Sequence, residues 1–307
     1  MRIDNRLSTA TAAGALTIML AGCGPTVTFD TAGKMLSDNK TLTASTELTA
    51  NVRKTTTAAK TSTDFTVKRN GSGGVDVNVA GKAMSFSGSD VSGNVWTKGG
   101  NPLQTAGATN ESTTSAISAS DSNYAQVWQY LYAETNELNE GFAVVGNPTP
   151  VASLPGSGSV NYSGRAGVIV TQANAPATRF IGQYGTTDAK QVNASSAATL
   201  TANFGSKTVT GALTGGVGVQ TTANGQQTVG ATFNAGSMTL GTANISGASG
   251  QYTGAVSGSF GAGTVDGGST YTGQFFGPNA EETAGVINFG LNNGGFVGVG
   301  AFHADKQ

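Results

Sequence analysis

The sequence predicts an all-β protein, with a small N-terminal sheet or sandwich followed by a closed antiparallel barrel of eight strands. Two features of the bulk composition and one local texture carry that expectation. Glycine supplies 46 of 307 residues and charged residues only 11%. Thr, Ser, Val and Asn dominate the rest while strong helix formers are scarce, a balance that favours short strands joined by tight turns. The local texture is a large residue, then Ser or Thr, then Gly. It recurs as Tyr162-Ser-Gly164, Val209-Thr-Gly211, Ile245-Ser-Gly247, Tyr252-Thr-Gly254, Val256-Ser-Gly258 and Tyr271-Thr-Gly273.

At the N-terminus, Arg2 and Arg6 precede an apolar stretch from Ala10 to Leu20, too short to cross ~30 Å of hydrocarbon as a helix. It reads as an export signal, residues 1–22. The segment closes on Leu20, Ala21, Gly22 and Cys23 in the manner of a lipobox, whose small residues admit a signal peptidase and whose thiol accepts lipid. Cys23 is the single cysteine of the chain. An unpaired thiol is a liability after export and acylation removes it, so count and position agree. Gly24 follows, without the Asp that favours inner-membrane retention, so delivery to the outer membrane is expected. Two acyl attachments anchor more firmly than one reversible chain.

Residues 23–40 are polar and read as a tether, and 41–147 as the first β domain. Alternation marks Phe65-Thr-Val67, Val75 to Val79, Met84-Ser-Phe86 and Val91 through Trp96 as hairpin strands. The polar run from Gly99 to Asp121 reads as a surface loop. Tyr124, Trp128, Tyr130 and Tyr132 fall on even positions of one expected strand, which offers either an aromatic binding ledge or ordinary core packing. Three of the seven prolines, Pro148, Pro150 and Pro155, lie within residues 148–158, which therefore read as a linker. The barrel is expected over 159–307, with each inward side chain followed two positions later by a glycine that leaves room on the same face. Closure disposes of the sheet edges.

The C-terminal stretch Tyr271-Thr-Gly-Gln-Phe-Phe276-Gly-Pro-Asn-Ala-Glu281-Glu282-Thr-Ala-Gly285-Val286, followed by Gly298-Val-Gly-Ala-Phe302, resembles the closing hairpin of the transferrin-binding protein B-like surface lipoproteins. Pro155-Gly-Ser-Gly-Ser-Val-Asn-Tyr162-Ser-Gly164 is similar to the opening strand of that family's C-terminal barrel. The resemblance implies a handle of small sheets, an eight-stranded barrel, export to the cell surface by a dedicated translocator, and binding of an iron source or an extracellular protein. It also implies a link to an outer-membrane transporter. Within the motif, Pro278 and Asn279 read as a turn, with Glu281 and Glu282 solvated.

Chemistry for catalysis is thin. His303 is the sole histidine, so sites needing two imidazoles are excluded, and the one thiol is assigned to lipid. No nucleotide loop or nucleophile elbow is present. No resident cofactor is expected. His303 has one functional reading, as an axial ligand to haem or part of a ferric complex, set against an exposed residue near a strand end. A formal charge of -1 gives no footprint for nucleic acid. The sequence thus points to a non-enzymatic outer-membrane lipoprotein facing the exterior that binds a solute, an iron source or haem. The competing reading is a structural or interaction lipoprotein of the envelope with no small ligand. The site residues that follow are Cys23 for lipid, Leu20, Ala21 and Gly22 for processing, and His303, Tyr124, Trp128 and Tyr130 for a ligand.

Overall fold

A computed structural model describes residues 41–54, 58–92, 95–96, 116–117, 124–134, 137–173, 179–184, 197–221 and 233–307. The export signal with Leu20, Ala21 and Gly22, the lipid site Cys23 and the tether 23–40 lie outside these residues.

The first half holds Thr41–Ala44 (β1), Thr49–Lys54 (β2), Ala58–Thr61 (β3), Phe65–Arg69 (β4), Val75–Val79 (β5), Lys82–Phe86 (β6), Val91–Ser92 (β7), Val95–Trp96 (β8), Ala116–Ile117 (β9), Ala125–Glu134 (β10) and Glu137–Gly146 (β11). The second holds Ser159–Gln172 (β12), Arg179–Tyr184 (β13), Ala197–Asn203 (β14), Thr208–Thr221 (β15), Phe233–Ile245 (β16), Gln251–Phe260 (β17), Gly263–Thr264 (β18), Thr270–Phe276 (β19), Glu282–Leu291 (β20) and Phe296–Lys306 (β21). The expected aromatic strand is β10. Within the stretch read as a surface loop, Ala116 and Ile117 instead join the sheet, pairing with both β8 and β10. Two residues carry too short an alternation to announce a strand.

These strands form three layers. A four-stranded sheet runs β1-β4-β5-β6, and a seven-stranded sheet runs β3-β2-β11-β10-β9-β8-β7. Period-two alternation decides what each face covers. Phe65, Val67, Val75, Val77, Val79 and Phe86 bury one face of the smaller sheet against Trp128, Tyr130, Ala143 and Val145 of the larger. The neighbouring residues on the larger sheet, Val127, Phe142 and Val144 with Ala50 and Val52, face the other way. They pack on Ile169, Phe276, Ala284, Val286, Val299 and Ala301 from the outer wall of the barrel. Length alone suggests two cores. There are three, because the middle sheet is apolar on both faces.

The barrel closes in the order β12-β14-β15-β16-β17-β19-β20-β21, with β21 returning to β12 over a long antiparallel ladder from Gln172↔Phe296 to Tyr162↔Lys306. One stave is in two pieces. β13 pairs with Ala166 to Thr171 and β14 with Ser159 to Gly164, in the same direction along β12, and both also pair with β15. Eight positions around the wall are therefore filled by nine strands, with β18 a short appendage on β17.

Registration explains the Ser/Thr-Gly texture more fully than room on one face. Tyr252 lies opposite Gly273 and Tyr271 opposite Gly254. A Cβ on Gly273 would meet the Tyr252 ring at 2.5 Å, and one on Gly254 would meet Tyr271 Cε1 at 2.6 Å. Each tyrosine thus lies across its partner's glycine, and the two rings meet edge to face with centroids 6.1 Å apart. The same device pairs Phe302 with Gly285 and Phe289 with Gly298. Gly164, Gly211 and Gly258 of the texture instead lie against neighbouring backbone, and Gly247 lies in the turn after β16 with open space around it.

Among the described residues, aromatic side chains pack the barrel interior. Phe275 touches Tyr162, Phe204 and Tyr252, with centroids 5.8, 5.2 and 5.3 Å away. The Tyr252 and Thr283 hydroxyls are hydrogen-bonded, Tyr162 Oη donates to Ala280 O at 2.8 Å and Tyr271 Oη to Gly241 O at 2.6 Å. Burial raises all three phenols above their ordinary value, with the charge of Glu281 adding to the effect at Tyr162. The folded state therefore holds these protons more tightly than the unfolded chain. Their contribution to stability is intact below about pH 10, the unfolded phenol value, and is lost as pH rises above it. In an alkaline titration, tyrosinate absorbance from these three rings should grow only together with loss of near-ultraviolet circular dichroism.

Candidate functional site

The polar chemistry of the described residues gathers where the barrel meets the middle sheet. The chain enters it through the turn between β19 and β20, where Gly277 and Ala280 take φ of +87° and +56°. Glu281 closes this turn: Oε2 accepts from the Asn279 amide at 2.8 Å and Oε1 from Asn279 Nδ2 at 3.0 Å. Burial works against ionisation of Glu281, but these hydrogen bonds outweigh it and hold the carboxyl below the usual range. The start of the proline segment docks beside it. Pro148 bridges to Phe276, the Thr149 amide donates to Phe275 O at 2.9 Å, and Thr149 Oγ1 donates to Gly277 O at 2.6 Å.

Glu282 begins β20 and points outward beneath the middle sheet, only 3% exposed. It is not the solvated residue that the turn motif suggests. Its Oε2 accepts the backbone amides of Ala125 at 2.9 Å and Tyr124 at 3.3 Å, so one carboxylate receives the first donor of β10 and the one before it. His303 on β21 brings Nε2 to 3.4 Å from the same oxygen, and Asp305 brings Oδ1 to 3.9 Å from that nitrogen. The register sets Glu282 opposite Asp305 and His303 opposite Ala284, and positions 303 and 305 share one face of β21. Asp305 is half exposed and marks where the cluster opens to solvent. Glu282→Ala would strand two buried amides and the imidazole. A loss of about 2–5 kcal/mol is expected, from ~1–3 kcal/mol per unsatisfied buried group, read as a shift of the urea midpoint.

The structure brings together His303 and Tyr124, and separates them from the other two expected ligand residues. His303 is buried, contrary to its reading as an exposed terminal residue. Tyr124 precedes β10 and lays its ring over Gly277 on the barrel side. Trp128 and Tyr130 point the opposite way and are fully buried, their rings 6.3 and 5.8 Å from that of Phe65. Trp128 Nε1 donates to Gln126 Oε1 at 3.2 Å and Tyr130 Oη to Asn51 Oδ1 at 3.1 Å. The aromatic ledge does not form, because the four-stranded sheet covers it and even spacing in sequence ends where the strand begins. Glu282 escaped the sequence reading because it adjoins Glu281 in a turn motif, and only the register of β20 separates the two.

A second polar site lies on the outer face of the four-stranded sheet, a shallow hollow lined by Thr41, Thr66, Lys68, Asp76, Asn78 and Ser85 among others. Asp76 there accepts from Ser85 Oγ at 2.7 Å and Asn70 Nδ2 at 3.0 Å, and these hydrogen bonds lower its pKa. Its oxygens are committed to the sheet's own side chains.

Residues 154–306 match the family of C-lobe and N-lobe β-barrels of transferrin-binding protein B. Solved structures similar to the chain include intact Ap-TbpB with N and C lobes, at 17% identity and a TM-score of 0.48, covering 85% of this chain and 46% of that one. A point mutant of the transferrin-binding protein B of Haemophilus parasuis Hp5 gives 19% and 0.47, covering 85% and 45%. The isotype 1 protein of serogroup B Neisseria meningitidis gives 16% and 0.46, covering 85% and 44%. The chain spans less than half the length of these proteins. No curated protein matches it.

Proposed function

The C-terminal half, residues 154–306, belongs to the transferrin-binding protein B barrel family, and from that premise we propose that the chain is a non-catalytic binding protein of the outer-membrane surface. Lipid on Cys23, attached after processing beyond Leu20, Ala21 and Gly22, anchors it facing the exterior. It captures an extracellular protein or an iron source and works beside an outer-membrane transporter.

The observation that carries the mode of binding is the filled barrel. Tyr162, Phe204, Tyr252, Tyr271, Phe275 and Phe302 occupy its interior, each 3% exposed or less. An eight-stranded barrel has room either for its own side chains or for one small ligand. Among the described residues this one is filled by the first, which supports a ligand met on outer surfaces. His303, the residue read as a haem ligand, presents Nε2 to Glu282 on the barrel's outer side.

The test uses the full-length lipidated chain in a diderm bacterium. Protease added to intact cells should remove it, and Cys23→Ala should release it from the outer-membrane fraction. A chain that stays protected in intact cells, or stays in the membrane without Cys23, ends the surface-lipoprotein reading. In the same preparation, haem should leave the melting temperature unchanged, since only a ligand of the folded state raises it. A Soret change abolished by His303→Ala would instead make the protein a haem carrier.

A further inference from the structure

We propose that Glu282, His303 and Asp305 form a binding site for one divalent transition-metal cation of the zinc type, at the joint between the barrel and the middle sheet. The argument is independent of what the outer surfaces bind.

The donor set comes first. One imidazole and two carboxylates suit zinc and its neighbours, whereas calcium and magnesium take oxygen donors and more of them. Zinc holds nitrogen at ~2.0–2.1 Å and carboxylate oxygen at ~2.0–2.2 Å in a tetrahedron, which sets neighbouring donors roughly 3.3–3.5 Å apart. His303 Nε2 and Glu282 Oε2 already stand 3.4 Å apart. Asp305 Oδ1 is 3.9 Å from the same nitrogen, and the three donor atoms all lie within 4.8 Å of one another. Closing the set takes a shift of Asp305, the one exposed side chain of the three.

Preorganisation comes second. The Glu282 and His303 side chains are 4% and 6% exposed, each on a strand paired along its length. The amides of Ala125 and Tyr124 fix the Glu282 carboxylate, the role that outer partners play around metal ligands. Asp305, at 54%, supplies both the third ligand and the way in. Three protein ligands leave the fourth position to water on that open side. A cation here would tie β20 to β21 and, through Glu282, to the first residues of β10, so it would raise the stability of the joint.

The experiment is calorimetric titration of the full-length chain in detergent, stripped with chelator, against zinc chloride, with magnesium and calcium chloride as comparisons. One zinc ion per chain is expected, with a matching rise in melting temperature and no heat from the other two salts. Asp305→Asn changes an exposed side chain and should leave the zinc-free melt unchanged while weakening zinc at least tenfold. His303→Gln should weaken it further than the ~10–100-fold that loss of an outer-shell partner costs. No zinc binding, or binding equally strong in both variants, overturns the site.

Discussion

Phe275→Ala should lower stability by about 3–5 kcal/mol, the range for truncating a buried aromatic. The ring is 1% exposed and is the one that Tyr162, Phe204 and Tyr252 all face. Truncation removes three aromatic contacts at once, and the residues around the hole sit on a closed wall that cannot collapse inward without breaking ladder pairs. Cavity relaxation should therefore be poor and the cost should fall in the upper part of the range. Guanidinium unfolding followed by far-ultraviolet circular dichroism gives the number. A cost under about 1 kcal/mol would mean the barrel core repacks, against the packed interior on which the proposed surface binding rests.

Trp128→Ala is expected to cost a similar amount, again about 3–5 kcal/mol, though the cavity opens between the four-stranded and seven-stranded sheets. The adjacent pair Phe275 and Phe276 makes this second variant informative. Phe275 points into the barrel, while Phe276 points out into the joint with the middle sheet. Because most of that joint is a buried apolar contact, loss of the outer sheets exposes barrel wall, and the parts should unfold together. Both variants should then shift one transition. If Trp128→Ala splits the melt into two steps with the later one unmoved, the joint does not couple the layers.

Much of this was legible in residues whose neighbours along the chain define their surroundings. Val75, Val77 and Val79 alternate cleanly and all three are buried on one face of β5. The Ser/Thr-Gly texture pointed to a barrel, but what its glycines accommodate depends on which strand lies alongside. Gly273 is needed because Tyr252 lies across from it, a fact of register rather than of local spacing. The candidate site was less legible for the same reason. Only pairing of β20 with β21 brings Glu282 beside His303, and only the layering brings the amide of Ala125 to Glu282. Tyr124 and Trp128 look alike in an even-numbered series, yet they serve opposite faces of the sheet. Periodicity reports which side chains share a face, and what covers that face is settled by parts of the chain far away.

The divided stave has a consequence for how such a chain can lengthen. β13 ends at Tyr184 opposite Ala166, and in β14, which begins at Ala197, Ala198 lies opposite Gly164. The break falls beside Arg165, yet β12 runs past it unbroken and is held there by β21 through Arg165↔His303. Residues added at this join alter no register on either side, because each half of the stave is set by its own pairs with β12 and β15. The wall thus has a splice point, and a peptide tag inserted between Tyr184 and Ala197 should leave closure, and with it the melting temperature, unmoved.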